Sequence, residues 1–171
     1  MSIGKLPECA RRIFDEHHTL LLLARRVSKD WYEDVLSALH GSNISELLGI
    51  DPTTMFEGVT ADDLRQSLLP VSRRGAEDLM KLLAVGSFYS GPDASLRKAD
   101  PARDDCVREI IGTVGEEAEF FTNHGHAEDG EEADFFASSF HFNSLAETLY
   151  DVSLIAISSE HLLIAWRFED A

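Results

Sequence analysis

Two short apolar runs near the C-terminus, VSLIAISS (152–159) and LLIAWRF (162–168), flank the polar pair Glu160-His161. Runs of this length separated by a two-residue break predict a β-hairpin. In the first run Ile155 and Ile157 alternate with Leu154 and Ala156. Both faces of that strand are therefore apolar, which marks it as central, with 162–168 as its neighbour.

The N-terminal part reads differently. Leu6, Ala10, Ile13, His17, Leu20, Ala24 and Val27 recur at spacings of four and three, the seam of a long amphipathic helix with Pro7 in its first turn. On that helix Arg11, Arg12, Arg25 and Arg26 form a basic stripe off the seam, and His17 is a hydrogen-bonded core residue. Shorter helices follow, each with a start signal: Ser28 or Asp30 before Trp31, Asp51 before Pro52, a Thr60/Asp63 capping box, Ser72, and Asp100 before Pro101. Gly41 ends the first of these, and Pro70 ends or kinks the third. Residues 86–101 show glycine and proline without a period and read as an internal boundary. From 119 onward the pattern becomes two-residue, with Phe136, Ser138, Phe140 and Phe142 on one face of a predicted strand. Ser144 and Glu147 predict a capped short helix.

The expected fold is therefore α+β: about five N-terminal helices packed on a small C-terminal antiparallel sheet of three to four strands. One domain is expected over residues 1–171, helical over about 5–115 and mainly β over about 116–170.

Charge narrows the function. Residues 1–99 hold 12 basic and 14 acidic side chains, whereas residues 100–171 hold 3 and 17, so a net charge of −14 falls in the last 72 positions. Such a surface repels phosphate backbones and anionic lipid, which disfavours nucleic acid and membrane partners. The longest apolar stretch in the N-terminal region, Leu20–Ala24, is far short of the ~20 residues that span a bilayer. The N-terminal residues carry no signal-peptide pattern, so a cytoplasmic setting is expected. Cys9 and Cys106, 97 positions apart with no metal-type spacing, read as free thiols. No nucleophile elbow, P-loop or dinucleotide fingerprint occurs, and neither catalysis nor a cofactor is expected.

The densest acidic stretch is EEAEFFTNHGHAEDGEEADFF (116–136), which contains no Lys or Arg. Glu116, Glu117, Glu119, Glu128, Asp129, Glu131, Glu132 and Asp134 fall within 19 residues and are expected to form one negative patch that steers a basic protein partner. Phe120, Phe121, Phe135 and Phe136 are candidate anchors. An alternative reading uses His124, His126 and Glu131 as metal ligands of a small metal-dependent enzyme. That H-x-H-x4-E spacing partly resembles the first metal-binding motif of the cupin family, although Ala118 and Ser138 stand where that motif has glycines. A third reading makes the chain a scaffold subunit whose acidity serves solubility. The leading expectation is a non-enzymatic inhibitor or immunity protein that neutralises a toxin or nuclease by covering its cationic site.

Overall fold

The structure is a computed structural model and describes residues 5–85, 92 and 94–170. Its strands are β1 (Thr19–Arg25), β2 (Ile44–Gly49), β3 (Leu69–Val71), β4 (Glu119–Thr122), β5 (Tyr150–Ile157) and β6 (His161–Glu169). They form one antiparallel six-stranded sheet in the order β2-β1-β6-β5-β4-β3. The helices are α1 (Ala10–Ile13), α2 (Trp31–Leu39), α3 (Ala61–Ser67), α4 (Arg73–Val85) and α5 (Pro101–Gly112).

This overturns the expectation of helices first and a small sheet last. Three of the six strands lie before residue 100, and the helices cover both faces of the sheet. On one face Leu21, Leu23, Leu154, Ala156, Leu163 and Ala165 pack with α1, α4 and α5; on the other Leu20, Leu22, Ile155, Ile164 and Trp166 pack with α2 and α3. A strand covered on both sides is apolar at every position, because each successive side chain meets a hydrophobic layer.

The hairpin forms as the pattern predicts. Ile157 pairs with Leu162 across the turn, and Ser158 N donates to His161 O at 3.0 Å. Strand β6, however, is flanked on its other side by β1, with Leu20 opposite Trp166 and Leu23 opposite Leu163. The LLLLA run is thus a central strand and not the middle of a long helix. Of the seam only Ala10–Ile13, about one turn, is helical. The basic stripe disappears with the helix: Arg11 and Arg12 stay exposed on α1, while Arg26 beyond the end of β1 pairs with buried Asp34 at 3.0 Å. His17 is exposed and not in the core.

Short-range signals fare better. Asp30 accepts from Tyr32 N, Asp51 from Thr53 N and Asp100 from Arg103 N, and Thr60 and Asp63 close a reciprocal capping box. Each of these is a contact between residues no more than three apart, made without help from a distant element. Pro70 sits in edge strand β3, where a missing N–H is tolerated. Two local predictions fail. Residues 135–142 form no strand beyond a single bridge between His124 and Phe142, and Ser144 donates to Asp151 instead of capping a helix. Of the boundary read at 86–101, residues 86–91 and 93 lie outside the described residues, and Ala94–Arg97 form a short 3₁₀ segment before α5.

Cys9 and Cys106 are joined in a disulfide, with Cα atoms 5.9 Å apart, which ties α1 to α5. The free-thiol expectation fails because the fold, not the spacing, brings the two together. Among the described residues no helix is long and apolar enough to cross a membrane.

Candidate functional site

The acidic stretch is organised around β4, whose two ends have opposite character. At its C-terminal end the chain enters a buried polar knot. Thr122 Oγ1 donates to Ser153 O at 2.5 Å, and Asn123 Nδ2 donates to the Asp151 carboxylate at 2.9 Å while its Oδ1 accepts from Ser153 N at 2.8 Å. Asp151 also accepts from Trp166 Nε1 at 3.0 Å and from Leu145 N at 3.1 Å. Burial pushes the Asp151 carboxyl above its ordinary range, against the pull of these donors. Its partners satisfy the group, and its role is to pin the chain on either side of β4 and β5.

His124 follows, fully buried, stacked on Phe140 at 4.6 Å between ring centroids and T-shaped against Phe135 at 5.0 Å. Desolvation, with His126 and His141 nearby, pushes it down to about 3, so it is neutral. Its Nδ1 accepts from His126 N at 3.1 Å. A neutral imidazole that accepts at Nδ1 carries its proton on Nε2, and that Nε2 is buried without a hydrogen-bond partner. A metal needs a free ring-nitrogen lone pair; the one on Nδ1 already accepts from His126 N, and Nε2 carries the proton. Glu131 lies elsewhere, bordering a hollow with Arg74 and Asp78. His126 Nδ1 contacts Asp134 O at 2.9 Å. The set His124, His126 and Glu131 is therefore not assembled, and no group of three or more metal-ligating side chains occurs among the described residues.

All eight carboxylates of the stretch are exposed; Glu116, Glu117 and Glu119 border one hollow and Glu131 another. Asp134 is paired with Arg97 at 2.7 Å, which holds its carboxyl below the usual range, and Glu128 approaches His141 at 4.0 Å. Glu128 to Glu132 ride on a 3₁₀ segment, Gly125–Glu132, that Gly130 breaks with φ +62°. The four phenylalanines are not free anchors. Phe120 and Phe135 are buried, Phe121 lies tilted against Trp31 with ring centroids 4.5 Å apart, and Arg97 lies 5.9 Å from the Phe136 ring.

The N-terminal end of β4 is open. There Glu116, Glu117 and Glu119 border a cleft of about 400 Å³ together with Trp31, Glu160 and His161. Arg26 also lines it, yet its guanidinium already serves Asp34 at 3.0 Å, Ser28 O at 3.1 Å and Ser158 O at 3.2 Å. None of the four glutamates has an ion-pair partner among the described residues. Arg73 donates to Glu116 O at 2.9 Å, lies 5.1 Å from the Phe120 ring and borders a neighbouring hollow with Glu119, without an ion pair to any of the four. Trp31, Glu160 and His161 are site residues that the sequence did not reveal. The hairpin turn brings Glu160 and His161 to β4, and Trp31 arrives on the first turn of α2.

Comparison of the chain with protein families, with curated proteins and with solved structures gives no match.

Proposed function

We propose that this chain is a non-enzymatic binding protein whose cleft at the open end of β4 receives a cationic side chain of a basic protein partner. The observation that supports this most is the charge around the cleft. Four exposed glutamates, Glu116, Glu117, Glu119 and Glu160, face one arginine that is already committed to a buried aspartate. An arginine or lysine entering there gains charge-assisted hydrogen bonds to carboxylates and a ring to lie against at half-buried Trp31. The −14 surplus of the last 72 residues speeds encounter, and the cleft gives it a place to dock.

Within this reading the partner is a toxin or nuclease whose cationic site the carboxylates cover, acting as an inhibitor or immunity protein does, in the cytoplasm. The outer carboxylates Glu128, Asp129, Glu131 and Glu132 then steer, and the cleft grips. Asp134, tied to Arg97, contributes less to either task.

The test is capture from a native lysate on immobilised protein at low and high salt. A basic protein retained at low salt, released at high salt, and lost when Glu116, Glu117, Glu119 and Glu160 are changed to Gln supports the proposal. Retention that is unaltered by those four changes, or no salt-sensitive partner at all, overturns it and leaves acidity serving solubility.

A further inference from the structure

We infer that the Cys9–Cys106 disulfide is a redox latch, holding residues 5–14 as a strap over one end of the core, and that a dithiol reductant opens it without unfolding the sheet. This stands apart from the cleft and does not rest on what the cleft binds.

The strap has few other ties. The backbone hydrogen bonds of residues 7–14 are internal, from Ala10 N to Pro7 O, Arg11 N to Glu8 O, Arg12 N to Cys9 O and Phe14 N to Ala10 O. Among the described residues the strap meets distant polar groups at two further points, Leu6 N donating to Glu46 Oε1 on edge strand β2 at 3.0 Å and Cys9 Sγ lying 3.6 Å from Glu109 Oε2 on α5. Four residues of helix cannot stand alone in water. What remains is apolar contact: Ala10 and Phe14 are buried, and Leu6 and Ile13 pack at the margin of a cluster that includes Leu48 and Val107. The root of the strap is fixed independently. Thr19 N donates to Asp15 O at 3.0 Å and Phe168 N to His18 O at 2.8 Å, so β1 begins from an anchored turn. The hinge is therefore the junction of Phe14 and Asp15, just ahead of that turn.

The two sulfurs also differ in access. Cys9 is half-buried at the surface end of the bond, while Cys106 is 4% exposed inside the cluster. A reductant thiolate reaches Cys9 Sγ first. The new S–S bond forms there, the Cys9–Cys106 bond breaks, and its electron pair leaves on Cys106 Sγ, which takes up a proton. The second thiol of the reductant then attacks the mixed disulfide and releases the Cys9 thiolate, so two electrons reach the protein and the reductant leaves as its own disulfide. Freed of the bond, the strap swings at the hinge and bares the apolar ground beneath Ala10 and Phe14. In a reducing compartment paired cysteines of this kind are usually transient and redox-sensing.

The experiment is segment-resolved hydrogen–deuterium exchange on the full chain before and after dithiothreitol without denaturant, with alkylation to count thiols. The expected result is no free thiol before treatment and two after it. Exchange over 5–14 should accelerate at least tenfold while β1, β5 and β6 stay protected, and reoxidation should restore the strap. Cys9→Ala should show the opened pattern without reductant. Free thiols in the air-exposed protein, a bond that resists dithiothreitol, a strap still protected after reduction, acceleration across the whole sheet, or a Cys9→Ala chain that does not fold would each overturn the latch.

Discussion

The two ends of β4, four residues apart, show how one acidic stretch serves two purposes. At the closed end, Asn123, His124 and Asp151 are buried, and their hydrogen bonds run inward to Ser153, Trp166 and the backbone. At the open end, Glu116, Glu117 and Glu119 are exposed and without ion-pair partners among the described residues. Apart from His124 Nε2, the polar groups taken from water at the closed end are satisfied by the protein and so hold structure; those left in water at the open end keep their charge for a second molecule. The difference teaches that local density of charge does not locate a site. What locates it is which charges the fold leaves unanswered.

Removing a member of the closed end should give the largest effect on stability. Asp151→Ala strands the Trp166 indole N–H and the Leu145 N–H in an apolar interior, while Asn123 Nδ2 keeps the carbonyls of Asn143 and residue 151; the expected loss is about 3–5 kcal/mol. Chemical denaturation of the variant checks this, and a loss under about 1 kcal/mol would erase the contrast between the two ends.

The closed end should also make stability depend on pH. His124 is held at about 3 in the folded chain against 6.5 for an unperturbed histidine. Between those values the unfolded chain binds a proton that the folded chain refuses, so stability falls as pH drops below 6.5. The slope from this group is at most about 1.4 kcal/mol per pH unit. It is complete above 6.5 and exhausted near the folded value. Asp151, raised by burial, acts in the opposite sense just above pH 3.8, so the difference between wild type and His124→Asn isolates the histidine. Urea midpoints from pH 7 to 4 that run parallel for the two proteins would contradict a buried neutral imidazole.

Changes at the open end should hardly touch stability. Changing Glu116, Glu117, Glu119 and Glu160 to Gln should move the melting temperature by no more than about 2 °C, because no partner is stranded. Partner association should nonetheless slow by about tenfold or more at low salt. The smallest effect is expected for Glu131→Gln, which borders a different hollow; its melting temperature and association rate should both stay near wild type, and a loss equal to that of the cleft variants would merge the two acidic groups again.

Legibility followed the same division between local and distant. Caps at Asp30, Asp51, Thr60 and Asp100 were readable because each is a contact within three residues. The hairpin was readable because its partners are neighbours in sequence. The LLLLA run misled because a strand buried on both faces has no period of its own, so a helical seam could be drawn through it from Ala10 to Val27. Only the pairing of Leu21 with Ala165 and with Leu48 decides the matter, and those residues lie far along the chain. The Phe136–Phe142 alternation failed for the converse reason: Phe140 stacks on His124, Phe142 packs on Phe140 and Phe136 lies under Arg97, with no ladder to order them. The acidic carboxylates were visible, but the cleft was not, since Trp31 and Glu160 reach β4 only through α2 and the hairpin turn.

The most direct test of the open end is a titration of the isotope-labelled chain with a short oligo-arginine peptide, followed by amide and indole NMR shifts. The account predicts salt-sensitive shifts concentrated at residues 115–119, at 158–161 and at the Trp31 indole N–H, all removed by the four Glu→Gln changes. Shifts centred on residues 128–134, or spread evenly over every exposed carboxylate, would contradict it.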